Sequence, residues 1–262
     1  MGVTARVVLI VLAWLGCAAE AAQAVEREKL LTEPGVYATF AVFTVEKDWW
    51  RLDARTRESA TAVAKEVFRT HSEQVAVDTY LLRGLTDAAD LMVRVHGAEM
   101  LHNQNFLLDL MASPLGKYLK NTHTFNGLTK QANYVPGFPD DLKEALKSPT
   151  EAGAKPYAIV IPIRKDAEWW LLDRQARTVL MQEHTEASAP YLKTVKRKLY
   201  HSSGLDDLDF ITYFETARLD DFNNLVIALE SVRENRHNKR FGSPTLLGTI
   251  RPLDEVLEIL LR

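Results

Sequence analysis

Cysteine is almost absent from this chain of 262 residues, because Cys17 is the only one. It lies in a segment with the pattern of an N-terminal leader, so the chain that follows can form no disulfide, no thiolate metal site and no cysteine nucleophile. A protein without thiols also suits an oxidising compartment or an oxidising substrate, since thiols are readily oxidised.

Long apolar runs and an excess of one charge are also missing. Beyond the leader, no segment approaches the roughly 20 consecutive apolar residues that a transmembrane helix needs. The formal net charge is −3 with both signs interspersed, which excludes the broad basic surface that nucleic acid or an anionic membrane would require. We therefore expect neither partner for the mature chain, and any anion must be attracted locally.

The first 24 residues have the pattern of a secretory signal peptide. Arg6 precedes an apolar run from Val7 to Leu15, and the small residues Ala22 and Ala24 flank Gln23 in a typical cleavage site. We expect residues 1–24 to be removed on export to the periplasm. Their retention as an N-terminal anchor is the alternative.

The chain carries an internal repeat with a constant offset of 120 positions. Eight positions match, because Tyr37, Ala38, Trp49, Trp50, Asp53, Gly84, Leu85 and Asp87 recur as Tyr157, Ala158, Trp169, Trp170, Asp173, Gly204, Leu205 and Asp207. So many matches at one offset indicate two copies of one unit.

Each copy has the order β-α-β-β-α, which is typical of a ferredoxin-like unit. The predicted elements are strands at 36–45, 75–83, 91–96, 157–163, 195–201 and 210–215, first helices at 53–71 and 173–189, a second helix in each copy, and a short last strand at 245–250. Residues 113–156 are dense in proline and glycine and mark the boundary. We expect an α+β fold in which unit 25–150 and unit 151–262 cover each other's sheets, giving duplicated ferredoxin-like units that form a dimeric α+β barrel.

Two residues with chemical potential are present only in the second copy. At the offset of the repeat, His184 lies opposite Ala64 and Arg197 lies opposite Val77. His184 shares an apolar helical stripe with Leu180, so it is either a satisfied core residue or a ligand. No second histidine follows at i+3 or i+4, and a helical zinc motif is therefore unsupported.

Arg197 lies in an alternating strand whose face also carries Leu199, and the next strand presents Thr212 and Phe214 on a matching face. One interpretation is that the basic run 196–198 forms a solvated edge. The other is an apolar pocket in which one fixed guanidinium meets a small anion. A neutral histidine beside such a pocket would suit five-coordinate haem, but spacing alone leaves haem as one possibility.

Several long motifs of the second copy resemble the chlorite dismutase family, in particular its larger, pentameric, periplasmic forms. The matching runs are KPYAIVIPI at 155–163, KDAEWW at 165–170, MQEHT at 181–185, LKTVKRKLYHS at 192–202 and DFITYFET at 209–216. The similarity extends over essentially the whole mature chain.

The resemblance implies haem b in the C-terminal unit only, which agrees with alanine at position 64. It assigns His184 as the proximal iron ligand and Glu234 as the carboxylate that accepts a hydrogen bond from the outer nitrogen of that histidine. Without the family, Glu234 would be interpreted as a solvated helix carboxylate. Arg197 matches the catalytic distal arginine.

The remaining site residues implied by the resemblance bind or surround the cofactor. They are the distal-wall residues Leu199, Thr212 and Phe214, Lys165 near the haem propionates, and Trp169 on the proximal side. Trp170 is expected at a subunit contact of a homopentamer; the shared tryptophan pairs could instead pack the first helix onto its sheet.

The activity implied is the decomposition of chlorite to chloride and dioxygen, with formation of an oxygen–oxygen bond. One alternative is another haem enzyme of the superfamily, either a peroxidase or a coproporphyrin-iron decarboxylase. The decarboxylases are cytoplasmic and lack the distal arginine, whereas this chain has a leader and Arg197. The other alternative is a non-enzymatic haem-binding protein, for which a closed or six-coordinate site is expected.

Overall fold

The computed structural model describes residues 34–131 except Ala88, then Asp140 and residues 156–262. The leader predicted over residues 1–24, and the unit boundaries predicted near residues 25 and 150, lie outside the described residues. Among the residues described, no helix is both long and apolar enough to span a bilayer.

The two halves contain corresponding elements. The first half has β1 (Tyr37–Val45), α1 (Ala54–His71), β2 (Val75–Leu81), β3 (Leu91–Gly97), α2 (Met100–Ala112) and β4 (Leu119–Leu128). The second half has β5 (Tyr157–Lys165), α3 (Ala167–Leu171), α4 (Arg174–Ser188), β6 (Val195–His201), β7 (Phe210–Thr216), α5 (Leu219–Glu230), β8 (Asn238–Phe241), β9 (Leu246–Ile250) and α6 (Leu253–Leu261). Short 3₁₀ helices lie at Lys47–Arg51, Gly116–Tyr118, Ala189–Tyr191 and Arg233–His237.

The repeat extends to the local devices that start and connect these elements. The N-cap carboxylates of α1 and α4 are Asp53 and Asp173, which accept hydrogen bonds from backbone N–H groups three residues further on, at 2.9 and 2.8 Å. Gly84 and Gly204 both adopt positive φ, 83° and 81°, in the turns that follow β2 and β6. The same sequence signals therefore build the same local structure twice.

The strands close into a single antiparallel barrel. Around the barrel the order is β7-β6-β4-β1-β3-β2-β9-β5, and β5 pairs back onto β7 over Tyr157–Ile163. The short strand β8 continues the β9 edge of β5. The halves join through β2 with β9 and through β4 with β6. The predicted dimeric α+β barrel of duplicated ferredoxin-like units is confirmed.

Alternation along the strands separates an inner core from two outer cores. On β1, Ala38, Phe40 and Val42 point into the barrel and pack against residues of the second half. Ala41 and Phe43 lie on the opposite face, under the helices of the first half. On β5 and β7, Ile159, Ile161 and Phe214 form the corresponding outer core with α5.

A buried polar cluster inside the barrel connects the halves. The guanidinium of Arg94 is fully buried, donates to Asp78 at 2.7 and 3.2 Å and lies 3.9 Å from the ring centroid of Tyr213. Tyr200 receives a bond from Arg94 at 3.4 Å and shares another with His96 at 2.9 Å. Arg94 and His96 of the first half thus contact two tyrosines of the second.

One sequence expectation needs correction. The boundary segment 113–156, interpreted as a stretch of breakers, contains the ten-residue strand β4, which pairs along most of β1. Its proline and glycine residues flank this strand, apart from Gly127, which pairs with Ala38. A Cβ at Gly127 would come within 3.0 Å of the Tyr200 side chain, so glycine permits a close approach here rather than breaking the strand.

Candidate active site

The most distinctive chemical group of the second half is an imidazole paired with a carboxylate. His184 projects from α4 and its Nδ1 lies 3.2 Å from Oε2 of Glu234, which is carried by the 3₁₀ helix Arg233–His237. Burial, together with the nearby cations Arg197 and Lys165, lowers the pKa of His184 to about 3. The imidazole is therefore neutral at physiological pH, with its Nδ1 proton directed to Glu234.

This state leaves Nε2 as the lone-pair nitrogen of His184. A neutral histidine whose other ring nitrogen donates to a carboxylate is the usual form of an imidazole metal ligand. The pair predicted from sequence, His184 with Glu234, is thus brought together by the fold.

Lys165 supports the carboxylate from the other side. Its buried ammonium forms an ion pair with Glu234 and donates to Oδ1 of Asn238 at 2.7 Å. It also lies 4.5 Å from the ring of Trp169, which is 6% exposed. Burial lowers the pKa of Lys165 to about 8. The expected proximity of Lys165 to haem propionates stays a prediction.

The other predicted residues form one face of the sheet. In the register of β6 with β7, Arg197 lies opposite Phe214 and Leu199 lies opposite Thr212. Thr212 uses its hydroxyl proton in a bond of 3.0 Å to the carbonyl of Ile161. The charge of Arg197 is near enough to contribute to the lowered pKa of His184, so this face and the histidine belong to one site.

Comparison of the halves indicates space for a cofactor on this face. Leu199 is 39% exposed, whereas its counterpart Thr79 is 7% exposed. Thr79 is covered because α6 packs against α1 and β2, and Leu257 and Leu260 join the outer core that contains Ala64. In the first half, α6 therefore covers the sheet face at Thr79, whereas the corresponding position in the second half, Leu199, is left uncovered.

These features fit haem. A sheet face that protein leaves partly uncovered at Leu199 and a neutral imidazole with a free lone pair are what a five-coordinate haem requires, and an arginine near them would suit an anionic ligand. Among the described residues of the first half, Ala64 takes the position of His184. The helix α6 fills the space that corresponds to the uncovered region around Leu199.

Three residues of this region were missed by the sequence analysis: Asp166, His237 and Asn238. Asn238 contacts Lys165, and His237 contacts Asp166 through Nδ1 at 3.2 Å. Comparison of the two copies could have identified them, because the offset between corresponding residues changes from 120 to 119 positions after the turn between β6 and β7. At that offset His237 and Asn238 replace Tyr118 and Leu119.

Trp170 is more exposed than the first tryptophan of either pair. Trp170 is 46% exposed and stacks on Phe210 with a centroid distance of 6.1 Å, whereas Trp49 and Trp169 are buried. The shared buried tryptophans agree with a packing role for the first member of each pair. The expected subunit contact of Trp170 stays a prediction.

The fold and the paired residues define a class: a duplicated ferredoxin-like barrel with an imidazole–carboxylate site in the second half. The family model for chlorite dismutase matches residues 57–251. The chain belongs to the chlorite dismutase family.

Individual relatives agree with this assignment. A chlorite dismutase of Ideonella dechloratans is 41% identical over 238 residues, which are 90% of this chain and 84% of that protein. A structure of chlorite dismutase from Candidatus Nitrospira defluvii in complex with imidazole is 57% identical, with a TM-score of 0.86 over 91% of this chain and 100% of that one. A haem-binding protein from Thermus thermophilus has a TM-score of 0.74 over 87% of this chain and 96% of that one; at 18% identity it shows the fold alone.

Proposed function

We propose that this chain is a haem b enzyme that decomposes chlorite to chloride and dioxygen. The observation that carries the proposal is the His184–Glu234 pair together with the sheet face that contains Arg197 and the exposed Leu199, in a chain of the chlorite dismutase family. Haem b bound there would supply the iron at which the chlorine–oxygen bonds break and the oxygen–oxygen bond forms.

His184 would hold the cofactor through Nε2. Glu234 would fix the orientation of the imidazole and raise its basicity by accepting a hydrogen bond from its Nδ1–H group. Lys165 would hold the Glu234 carboxylate in place through their buried ion pair. Trp169 packs over that ammonium and limits its access to water.

Arg197 would bind the chlorite anion and retain the reacting fragments until the products form. A guanidinium suits this role because it stays charged when partly desolvated and donates in a planar fork. Holding the fragments close favours their recombination over escape into solvent. Leu199, Thr212 and Phe214 carry no group that ionises near neutral pH, which suits a reaction without net proton uptake.

We also propose that the chain acts in the periplasm as a homopentamer. The support for export is the leader pattern, with Arg6 before the apolar run and small residues at the cleavage site. The support for assembly is the resemblance to the larger, pentameric forms and the exposed Trp170. Light scattering of the purified protein tests the assembly, and N-terminal sequencing after export tests the cleavage.

The central experiment measures oxygen with an electrode and chloride by ion chromatography after chlorite is added to the haem-loaded protein. We expect equal amounts of both products from the wild type, no haem retention by His184→Ala, and slower turnover or earlier bleaching for Arg197→Ala. Arg174→Ala, which removes an exposed cation at the start of α4, is the matched control and should behave as wild type. If haem binds but chlorite gives no oxygen, the proposal fails and a peroxidase or haem-carrier function replaces it.

A further inference from the structure

The 3₁₀ helix that carries Glu234 is attached to the rest of the site by a second histidine. His237 is 2% exposed, and its Nδ1 lies 3.2 Å from both carboxylate oxygens of Asp166. The backbone is attached too, because the N–H of Asp166 donates to the carbonyl oxygen of His237 at 3.0 Å. The two segments are therefore joined by both main-chain and side-chain bonds.

Asp166 connects this histidine to the segment that carries Lys165 and Trp169. Its Oδ1 caps α3 by accepting the N–H of Trp169 at 2.7 Å. That bond is the main cause that lowers the pKa of Asp166, so the carboxylate is ionised near neutral pH. The ring of Trp169 also contacts that of His237, with a centroid distance of 5.8 Å.

The bonds of His237 define its tautomer. Nε of Arg236 donates to Nε2 of His237 at 3.3 Å, so the proton of the neutral ring is on Nδ1 and is donated to Asp166.

Asp166, Glu168 and His237 are close enough to be considered as metal ligands, with candidate atoms within 4.8 Å of one another. A cation site is disfavoured because Nε2 already accepts a bond from Arg236.

The geometry of a 3₁₀ helix transmits this attachment to Glu234. Side chains at i and i+3 eclipse each other in such a helix, and Glu234 and His237 have this spacing within Arg233–His237. Fixing the ring of His237 against Asp166 therefore also fixes the position from which Glu234 reaches His184.

We propose that His237 and Asp166 are positioning residues that hold the Glu234 carboxylate against Nδ1 of His184. The inference rests on the proposed function in one respect: Nε2 of His184, on the other side of the ring from Nδ1, is the nitrogen that would bind iron. Without the pair, the turn can shift, the bond between His184 and Glu234 weakens, and the imidazole becomes a less basic ligand.

Three substitutions separate this role from packing. His237→Leu removes both ring bonds at similar volume, whereas His237→Asn keeps a donor near the position of Nδ1. Asp166→Asn keeps an acceptor for the cap of α3 but loses the charge and places an amide where the imidazole donates. The matched control is His71→Leu, since His71 is also buried and paired with a carboxylate, Asp109, at 2.8 Å, but lies in the first half.

The readouts on haem-loaded protein are the iron–histidine stretching frequency of the ferrous state, by resonance Raman spectroscopy, and the rate of haem transfer to excess apomyoglobin. We expect His237→Leu and Asp166→Asn to lower the frequency and to weaken haem binding roughly tenfold. His237→Asn should recover most of both losses, and His71→Leu should change neither.

The same variants are compared without haem, by the ¹⁵N chemical shifts of His184. Wild type should show the Nδ1–H tautomer, and His237→Leu a mixture of the two tautomers. This arm decides the inference even if the wild type binds no haem or evolves no oxygen, results that would refute only the proposed function. Wild-type frequency and tautomer in a folded His237→Leu protein would overturn the inference, and so would equal losses in His237→Leu and His237→Asn, which would indicate packing alone.

Discussion

Replacement of Arg94 should destabilise the protein far more than replacement of an exposed arginine that forms an equally short ion pair. Arg94 and Asp78 are 0% and 8% exposed and 2.7 Å apart, so Arg94→Met removes a buried guanidinium that pairs with a buried carboxylate. Breaking such a pair costs about 3–5 kcal/mol of unfolding free energy. The Arg218–Asp220 pair has a distance of 2.8 Å but exposures of 58% and 63%, and exposed pairs contribute about 0–1 kcal/mol.

The assay is urea unfolding of the haem-free protein, followed by circular dichroism, at one pH and one protein concentration. We expect Arg94→Met to lower the urea midpoint much more than Arg218→Met while the slope m stays unchanged. The double variant Arg94→Met with Asp78→Leu should recover part of the loss, because it also removes the carboxylate to which Arg94 was paired. Equal, small effects of the two arginine substitutions would refute the reasoning, and the connection between the halves would then be apolar.

Three further perturbations probe the site helix and the last helix. The pKa of His184 falls from its ordinary value of 6.5 to about 3 in the fold, so between these values the unfolded chain binds the extra proton and stability decreases as pH falls. His184→Leu should reduce the loss of unfolding free energy measured in the haem-free protein between about pH 7 and pH 5; an unchanged pH dependence would contradict the burial argument. Leu260→Ala should cost about 2–5 kcal/mol in thermal or urea unfolding, because Leu260 is 2% exposed in the outer core of the first half. Leu171→Ala, at a site 83% exposed, should change the unfolding free energy by no more than about 0.5 kcal/mol. An equally small cost for Leu260→Ala would exclude a structural role for the last helix. Asp173→Ala should cost about 1 kcal/mol and speed hydrogen exchange in the first turn of α4, while Asp173→Asn keeps the cap; identical exchange in the two variants would show that the cap is not used.

The duplicated architecture could be predicted because its signals are local. Paired tryptophans, the N-cap residues Asp53 and Asp173 and the turn glycines each specify a short piece of structure, and their common offset gives the repeat. Closure of the barrel also follows, because the sheet of each unit has an apolar face that its own helices do not cover.

The prediction of β4 failed for a physical reason. Glycine was interpreted as a breaker, but at Gly127 the missing side chain allows the strand to pass close to Tyr200. Nothing local to positions 113–156 distinguishes the two uses of glycine, since the deciding contact comes from the other half of the chain.

The candidate site was predicted in part. His184 and Arg197 differ from their counterparts at a fixed offset, so sequence comparison within the chain could identify them. The role of Glu234 required the family resemblance, because its partner His184 is 50 positions away. His237 escaped notice because the offset changes by one residue before β7.

The last helix has a consequence for the order in which the chain becomes a protein. α6 is the final element described, yet Leu260 accepts the indole N–H of Trp49 through its carbonyl oxygen at 2.7 Å, and both residues belong to the core of the first half. During synthesis from the N-terminus, that core stays open until α6 has been made. A chain that lacks α6 therefore exposes an apolar surface on its first half, and exposed apolar surface is what chaperones and proteases recognise. Burial of the first half thus depends on an element that is made after all the others described.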